Sequence, residues 1–140
     1  MSVTIPTYLP TGYAARVVAP AGDVVGKLYA AQASTTSAPS GVAGAGTFAT
    51  TGVGWVDLWL TAAVADVTIT VWAYSAVAGG WHIDTAFGVG GSLTVDFSAA
   101  PAVRVSHQVL GADYMHVQVS ALGSSATLTA FATSSQDVPK

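Results

Sequence analysis

Polar and apolar residues alternate with a period of two through most of the second half of the chain. The clearest case is the stretch from Gly111 to Thr133. Met115, Val117 and Val119 alternate with Tyr114, His116, Gln118 and Ser120. After Leu122-Gly-Ser-Ser, the residues Ala126, Leu128, Ala130 and Ala132 alternate with Thr127, Thr129, Phe131 and Thr133. Such a pattern on both sides of a Gly/Ser turn predicts a β-hairpin. The same alternation recurs upstream. In 55–61, Val56, Leu58 and Leu60 share one face, and Trp55, Asp57 and Trp59 the other. In 67–74, Val67, Ile69, Val71 and Ala73 oppose Thr68, Thr70, Trp72 and Tyr74. Shorter strands are predicted at 81–87, 92–98 and 103–109, with turns at Ala78-Gly-Gly80 and Gly88-Val-Gly-Gly91.

The first part of the chain reads differently. Pro6 and Pro10 remove backbone donors and fix φ, which suits an extended arm that Tyr8 and Tyr13 could anchor. Short strands are possible at 14–19 and 24–31, separated by the turn Pro20-Ala-Gly-Asp23. The run from Ala33 to Gly54 is rich in Ser, Thr, Gly and Ala and carries no periodicity, so it reads as a loop that packs on a neighbouring subunit.

Closely spaced strands with no amphipathic helix predict an all-β fold, an antiparallel β-sandwich or jelly roll with an extended N-terminal arm. The expected layout is an arm and loop region over 1–54, a sandwich core over 55–135, and a polar tail over 136–140. A single chain of 140 residues is long enough for one such core, burying about 68–70% of its unfolded surface.

Charge alters the picture. Asp, Glu, Lys and Arg make up 8% of the chain, against about 25% in an ordinary domain. Glu and Asn are absent, and the bases are only Arg16, Lys27, Arg104 and Lys140. Sheet edges are usually protected by charges, and so uncharged a surface suits a chain covered by other subunits. A net charge of −3 argues against a nucleic-acid partner. The apolar runs are too short and too interrupted to span a membrane as helices, and no secretory signal is visible at the start. With no cysteine, disulfides and thiolate metal sites are excluded.

The chemistry on offer is sparse. His82 and Asp84 share a strand face and, with His107 or His116, could in principle hold a metal, but any His-x-Asp on a strand has this spacing. No nucleophile elbow, carboxylate pair or phosphate loop is recognisable, so neither an enzyme nor a cofactor is expected. Four tryptophans, Trp55, Trp59, Trp72 and Trp81, could stack on sugar rings as in a carbohydrate-binding module. Such aromatics serve equally well as buried interface area. The interface candidates are Tyr8, Tyr13, Trp55, Trp59, Trp72, Tyr74, Trp81, Tyr114, His116 and Gln118.

The segment Val109-Leu-Gly-Ala-Asp-Tyr-Met-His-Val-Gln-Val-Ser, with its Gly/Ser turn and the following Ala-Thr-Leu-Thr-Ala-Phe-Ala, resembles the last hairpin of small β-rich structural proteins of tailed bacteriophages. The segment from Val67 to Trp81 is similar in the same way, and the resemblance runs from about Trp55 to Thr133. It implies a virion component, made in the host cytoplasm. The type it suggests is a capsid decoration (cement) protein, often a homotrimer, seated on the major capsid protein at the head surface. A tail- or fibre-associated protein would use the same fold. The resemblance brings no catalytic residue with it.

Overall fold

A computed structural model describes residues 24–62, 66–109 and 111–135. They form an all-β structure of nine strands: β1 Val24–Gln32, β2 Thr47–Ala49, β3 Trp55–Ala62, β4 Asp66–Ser75, β5 Gly80–Ile83, β6 Ser92–Asp96, β7 Ala102–Gln108, β8 Tyr114–Leu122 and β9 Leu128–Ser135. All pairings are antiparallel. The first sheet has the order β1-β9-β3-β7. The second runs β2-β8-β4-β5, with β6 also paired to β4. The two sheets enclose one core, so the fold is the antiparallel β-sandwich that the alternation predicts.

The apolar halves of the alternating strands make that core. Val56, Leu58 and Leu60 of β3 and Leu128, Ala130 and Ala132 of β9 are buried in the first sheet. Val67, Ile69 and Val71 of β4 and Met115, Val117 and Val119 of β8 are buried in the second. Fully burying a branched aliphatic side chain is worth about 1.5–3 kcal/mol, so these rows supply the main drive to stack the sheets. Phe87 and Phe97, both outside strands, complete the packing.

The expected hairpin over 111–133 is not formed. Its two strands exist as β8 and β9, but they lie in different sheets: β8 pairs with β2 and β4, β9 with β1 and β3. Period-two alternation reports a strand with one buried face and carries no information about its partner. Both strands turn their apolar side chains to the same core from opposite sides. The connection 123–127 therefore crosses the roughly 10 Å between stacked sheets instead of folding back within one. It is tied to β4 by the Gly123 N–H, which donates to the Asp66 carbonyl at 2.7 Å.

The Gly88–Gly91 segment also differs from the tight hairpin turn expected of it. β5 and β6 do not pair with each other; both lie along the same edge of β4, end to end. Between them, residues 84–91 loop out, and Val71 of β4 spans the gap. Its N–H donates to Gly91 O and its carbonyl accepts from Asp84 N, both at 2.9 Å. In effect β5 and β6 are one strand interrupted by an excursion. Gly91, at φ +96°, permits it, because a Cβ there would collide with the Ile83 side chain.

The part of the expected arm that the structure describes belongs to the sandwich. β1 is the edge of the first sheet and β2 the edge of the second. The segment 33–46 carries the chain from one to the other along β8. Thr36 N donates to Val119 O, Val119 N donates to the Thr36 hydroxyl, and Val117 N donates to Gly46 O. This stretch packs on the chain's own sheet, where composition suggested a neighbouring subunit. Tyr8, Tyr13, the strand expected at 14–19 and the tail at 136–140 lie outside the described residues.

Candidate functional site

The sandwich has two outer faces, and the sequence-derived interface candidates that the structure describes divide between them. On the first sheet, alternation sends Trp55, Asp57 and Trp59 of β3 outward. The register then builds a row across all four strands. Lys27 of β1 is level with Phe131 of β9, Phe131 with Trp59 of β3, and Trp59 with Arg104 of β7. Trp59 and Phe131 are 42% and 41% exposed, so two large aromatics stand in solvent at the middle of a sheet. Lys27 Nζ lies 5.5 Å from the centre of the Phe131 ring, and Arg104 Cζ lies 5.5 Å from that of Trp59. Both distances fit cation–π attraction. The Trp59 indole N–H donates to the Thr133 hydroxyl at 2.9 Å. Asp57, one row away, accepts from the Ser106 hydroxyl and lies 3.8 Å from Arg104 Nε.

The outer face of the second sheet gathers Trp72, Tyr74, Trp81, Tyr114, His116 and Gln118. Tyr74 meets Trp81 and Tyr114 edge-to-face, with centroids at 5.3 and 5.8 Å and ring planes at 63° and 78°. Trp81 meets His116 at 6.1 Å and 72°. The polar ends of this cluster are occupied by the chain's own crossing segment and β2. The Trp81 indole donates to Gly41 O at 3.0 Å, and the Gln118 amide to Thr36 O at 3.2 Å. Gln118 in turn accepts from the Trp72 indole at 2.8 Å, and Thr47 shares a 2.7 Å hydrogen bond with His116 Nδ1.

His116 is 6% exposed, and no protein group is in hydrogen-bond geometry with its Nε2. Burial pushes its pKa below the ordinary histidine value, and the nearby Ser37 backbone offsets part of that effect. Beneath the crossing segment, the buried Tyr29 of β1 donates its hydroxyl to Val117 O at 2.6 Å. Burial raises the Tyr29 pKa, with the Thr36 side chain acting in the opposite direction. A strand of one sheet is thereby bonded to the backbone of the other.

The histidine–aspartate reading separates into parts. Asp84 and His107 do meet, with Oδ2 and Nε2 2.8 Å apart, and His107 is buried against the edge of Phe87 at 5.2 Å. Asp84 also accepts from the Ala86 N–H at 3.2 Å, so its carboxylate fastens the 84–91 excursion to β7 across the sandwich. His116 belongs to the opposite surface of the second sheet, against Trp81. No group of three or more His, Cys, Asp or Glu side chains among the described residues is arranged to hold a metal ion. A shallow cavity of about 520 Å³ lies at this end of the molecule, lined by residues including Tyr74, His82, Asp84 and Gln108. Among the described residues no helix is long and apolar enough to cross a membrane.

Sequence reasoning missed Lys27 and Arg104 as members of a site. Each is a lone cation in its own strand, and only the four-strand register puts them in line with the two aromatics. Phe131 left a signal, an aromatic among threonines on the polar side of its strand. No protein-family model, curated protein or solved structure matches this chain.

Proposed function

We propose that the chain is a structural virion protein, a capsid decoration (cement) protein that lies on the head and stabilises the shell by adding contacts across it. The observation that carries this reading is the outer face of the first sheet. A continuous four-stranded surface presents Trp59 and Phe131 to solvent, in a chain with very few charges to keep such a surface apart from others. Exposed aromatics on a rigid sheet suit docking against another protein.

The strand order adds support. With β5 and β6 counted as one interrupted strand, the orders β1-β9-β3-β7 and β2-β8-β4-β5/β6 support a jelly-roll reading of the sandwich. Double-sheet jelly rolls occur in viral capsids and in lectins. The lectin-like reading, a carbohydrate-binding module, has less to stand on. The aromatic rings of the second sheet meet edge-to-face and form no shared plane, and those of the first sheet have Lys27 and Arg104 over them. A tail- or fibre-associated role remains the second structural reading, because the same docking face would serve it.

The reading makes the major capsid protein the partner and the capsid surface the location, with a homotrimer as the working unit. Stabilisation would follow mass action, since a ligand that binds only the intact shell favours it. Mass spectrometry of purified particles, with antibody labelling in electron micrographs, tests it. The chain is expected in particles, labelled over heads. Its absence from particles would overturn the virion reading, and label confined to tails would move it to the tail. Light scattering of the purified chain is expected to give a trimer.

A further inference from the structure

We infer that the outer face of the first sheet binds a polypeptide surface in which carboxylates bracket an apolar centre. The inference takes its setting from the assembly reading above and adds the chemistry of the partner. Lys27 and Arg104 are the only Lys or Arg among the described residues, and they stand at the two ends of one row. The other aspartates of the described residues, Asp66, Asp84, Asp96 and Asp113, lie off this sheet. Among the described residues the Lys and Arg side chains thus collect on a single face, around the two most exposed of the Trp, Tyr and Phe rings. Asp57 offsets part of that charge, and among the described residues the face stays cationic in a molecule of net charge −3.

The spacing defines the match. Three interstrand steps separate Lys27 from Arg104, about 14 Å at the usual spacing. In an extended partner segment, residues i and i+4 point the same way about 13 Å apart. An Asp-x-Leu-x-Asp pattern therefore sets a carboxylate near each cation and the leucine over the Trp59–Phe131 pair. Displacing Lys27 and Arg104 from their rings towards the carboxylates exposes the aromatic faces to the apolar residue.

A second copy of the chain fits poorly. If the two-fold axis runs along the strands, laying the row on its copy puts Lys27 opposite Arg104. If the axis runs along the row, Lys27 meets Lys27. Both alignments set cation against cation, and juxtaposed like charges select against a pairing.

The test uses two capped peptides, Asp-Thr-Leu-Thr-Asp and its analogue Lys-Thr-Leu-Thr-Lys, titrated to millimolar concentration into the isotope-labelled chain. The acidic peptide is expected to shift the Trp59 indole and Arg104 Nε resonances, with a response that weakens at high salt. The basic peptide should leave both unmoved. The double variant Lys27→Glu/Arg104→Glu should bind the acidic peptide about tenfold more weakly or worse. Lys27→Gln/Arg104→Gln gives the same comparison if the reversal prevents folding. Equal shifts from the two peptides, no shift from the acidic one, or concentration-dependent self-association mapped to this face would each overturn the inference. A chain absent from particles whose face still binds the acidic peptide removes the virion reading alone. A chain present in particles with an indifferent face removes only this inference.

Discussion

His116 is a base buried where its proton is unwelcome. No protein group is in hydrogen-bond geometry with its Nε2, the Ser37 backbone offsets only part of the effect of burial, and the crossing segment 33–46 above it contains no titratable side chain to neutralise a charge. The folded state therefore binds a proton less readily than the unfolded chain, whose histidine titrates near pH 6.5. The unfolded state holds more protons below that pH, so stability falls as pH drops through about 6.5 and is at its full value above it. Urea midpoints measured between pH 8 and pH 5 are expected to fall towards acid in the natural chain. The decline should be shallower in His116→Gln, which keeps a polar partner for Thr47 and cannot charge. Parallel declines in the two proteins would refute this account. Gly46 makes the second argument at this scale. It sits at φ +86°, and a Cβ there would collide with the Tyr29 hydroxyl and approach the Val117 carbonyl. Gly46→Ala should cost about 2–3 kcal/mol in chemical denaturation, because strain in the backbone adds to loss of the Tyr29 bond. A change within about 0.5 kcal/mol, the range of ordinary surface substitutions, would show that the crossing segment yields easily.

At the scale of elements, the strands were legible and their partners were not. The rows Val56-Leu58-Leu60, Val67-Ile69-Val71 and Met115-Val117-Val119 announce their buried faces by alternation, and each is buried as read. The turn at Ala78-Gly-Gly80 joins two strands that do pair, β4 and β5. The step from β8 to β9 carries the same kind of signal, yet crosses between sheets. A glycine- and serine-rich connection is compatible with either route, and what decides is which strand edges remain open once β4 and β3 are in place. The same blindness hid the Lys27–Phe131–Trp59–Arg104 row, because a cross-strand site exists only after register is fixed. It also hid the role of Asp84, which lies in an excursion and reaches β7 through His107. Asp84→Ala should destabilise the sandwich by about 1–3 kcal/mol, by leaving the buried His107 short of its partner. Hydrogen exchange at the Val71 amide, which donates to Gly91 O in that excursion, should quicken more than exchange at amides of β9. Uniform quickening through both sheets would mean that the excursion is no separate element and loosens only with the whole.

The whole molecule is woven from contacts distant in sequence. Of the neighbouring strand pairs, only β4–β5 joins strands consecutive in the chain. β1 pairs with β9, and β2 with β8, so each sheet is closed at an edge by strands from opposite ends of the described chain. Loop closure must be paid before any such pairing returns enthalpy, and topologies of this kind fold in milliseconds to seconds rather than microseconds. The β4–β5 hairpin is local and can form first, but a lone two-stranded ribbon is marginal in water. It needs β8 alongside and the first sheet beneath to bury Ile69 and Val71. Removal of β9 takes a central strand from the first sheet and uncovers both β1 and β3. A chain ending before Leu128 should therefore fail to fold at all, with no partly folded second sheet surviving. Circular dichroism of the truncated chain, and stopped-flow refolding of the full one followed by tryptophan fluorescence, check the two halves of this argument. A cooperative thermal transition in the truncated chain would show that the second sheet is stable alone. A microsecond refolding phase carrying the full amplitude would show that local contacts, not the interleaved strand order, limit the rate. The same interleaving gives the outer face of the first sheet its rigidity. All four strands of the row are held by pairings between segments distant in the chain, so this face is present only when the sandwich is complete.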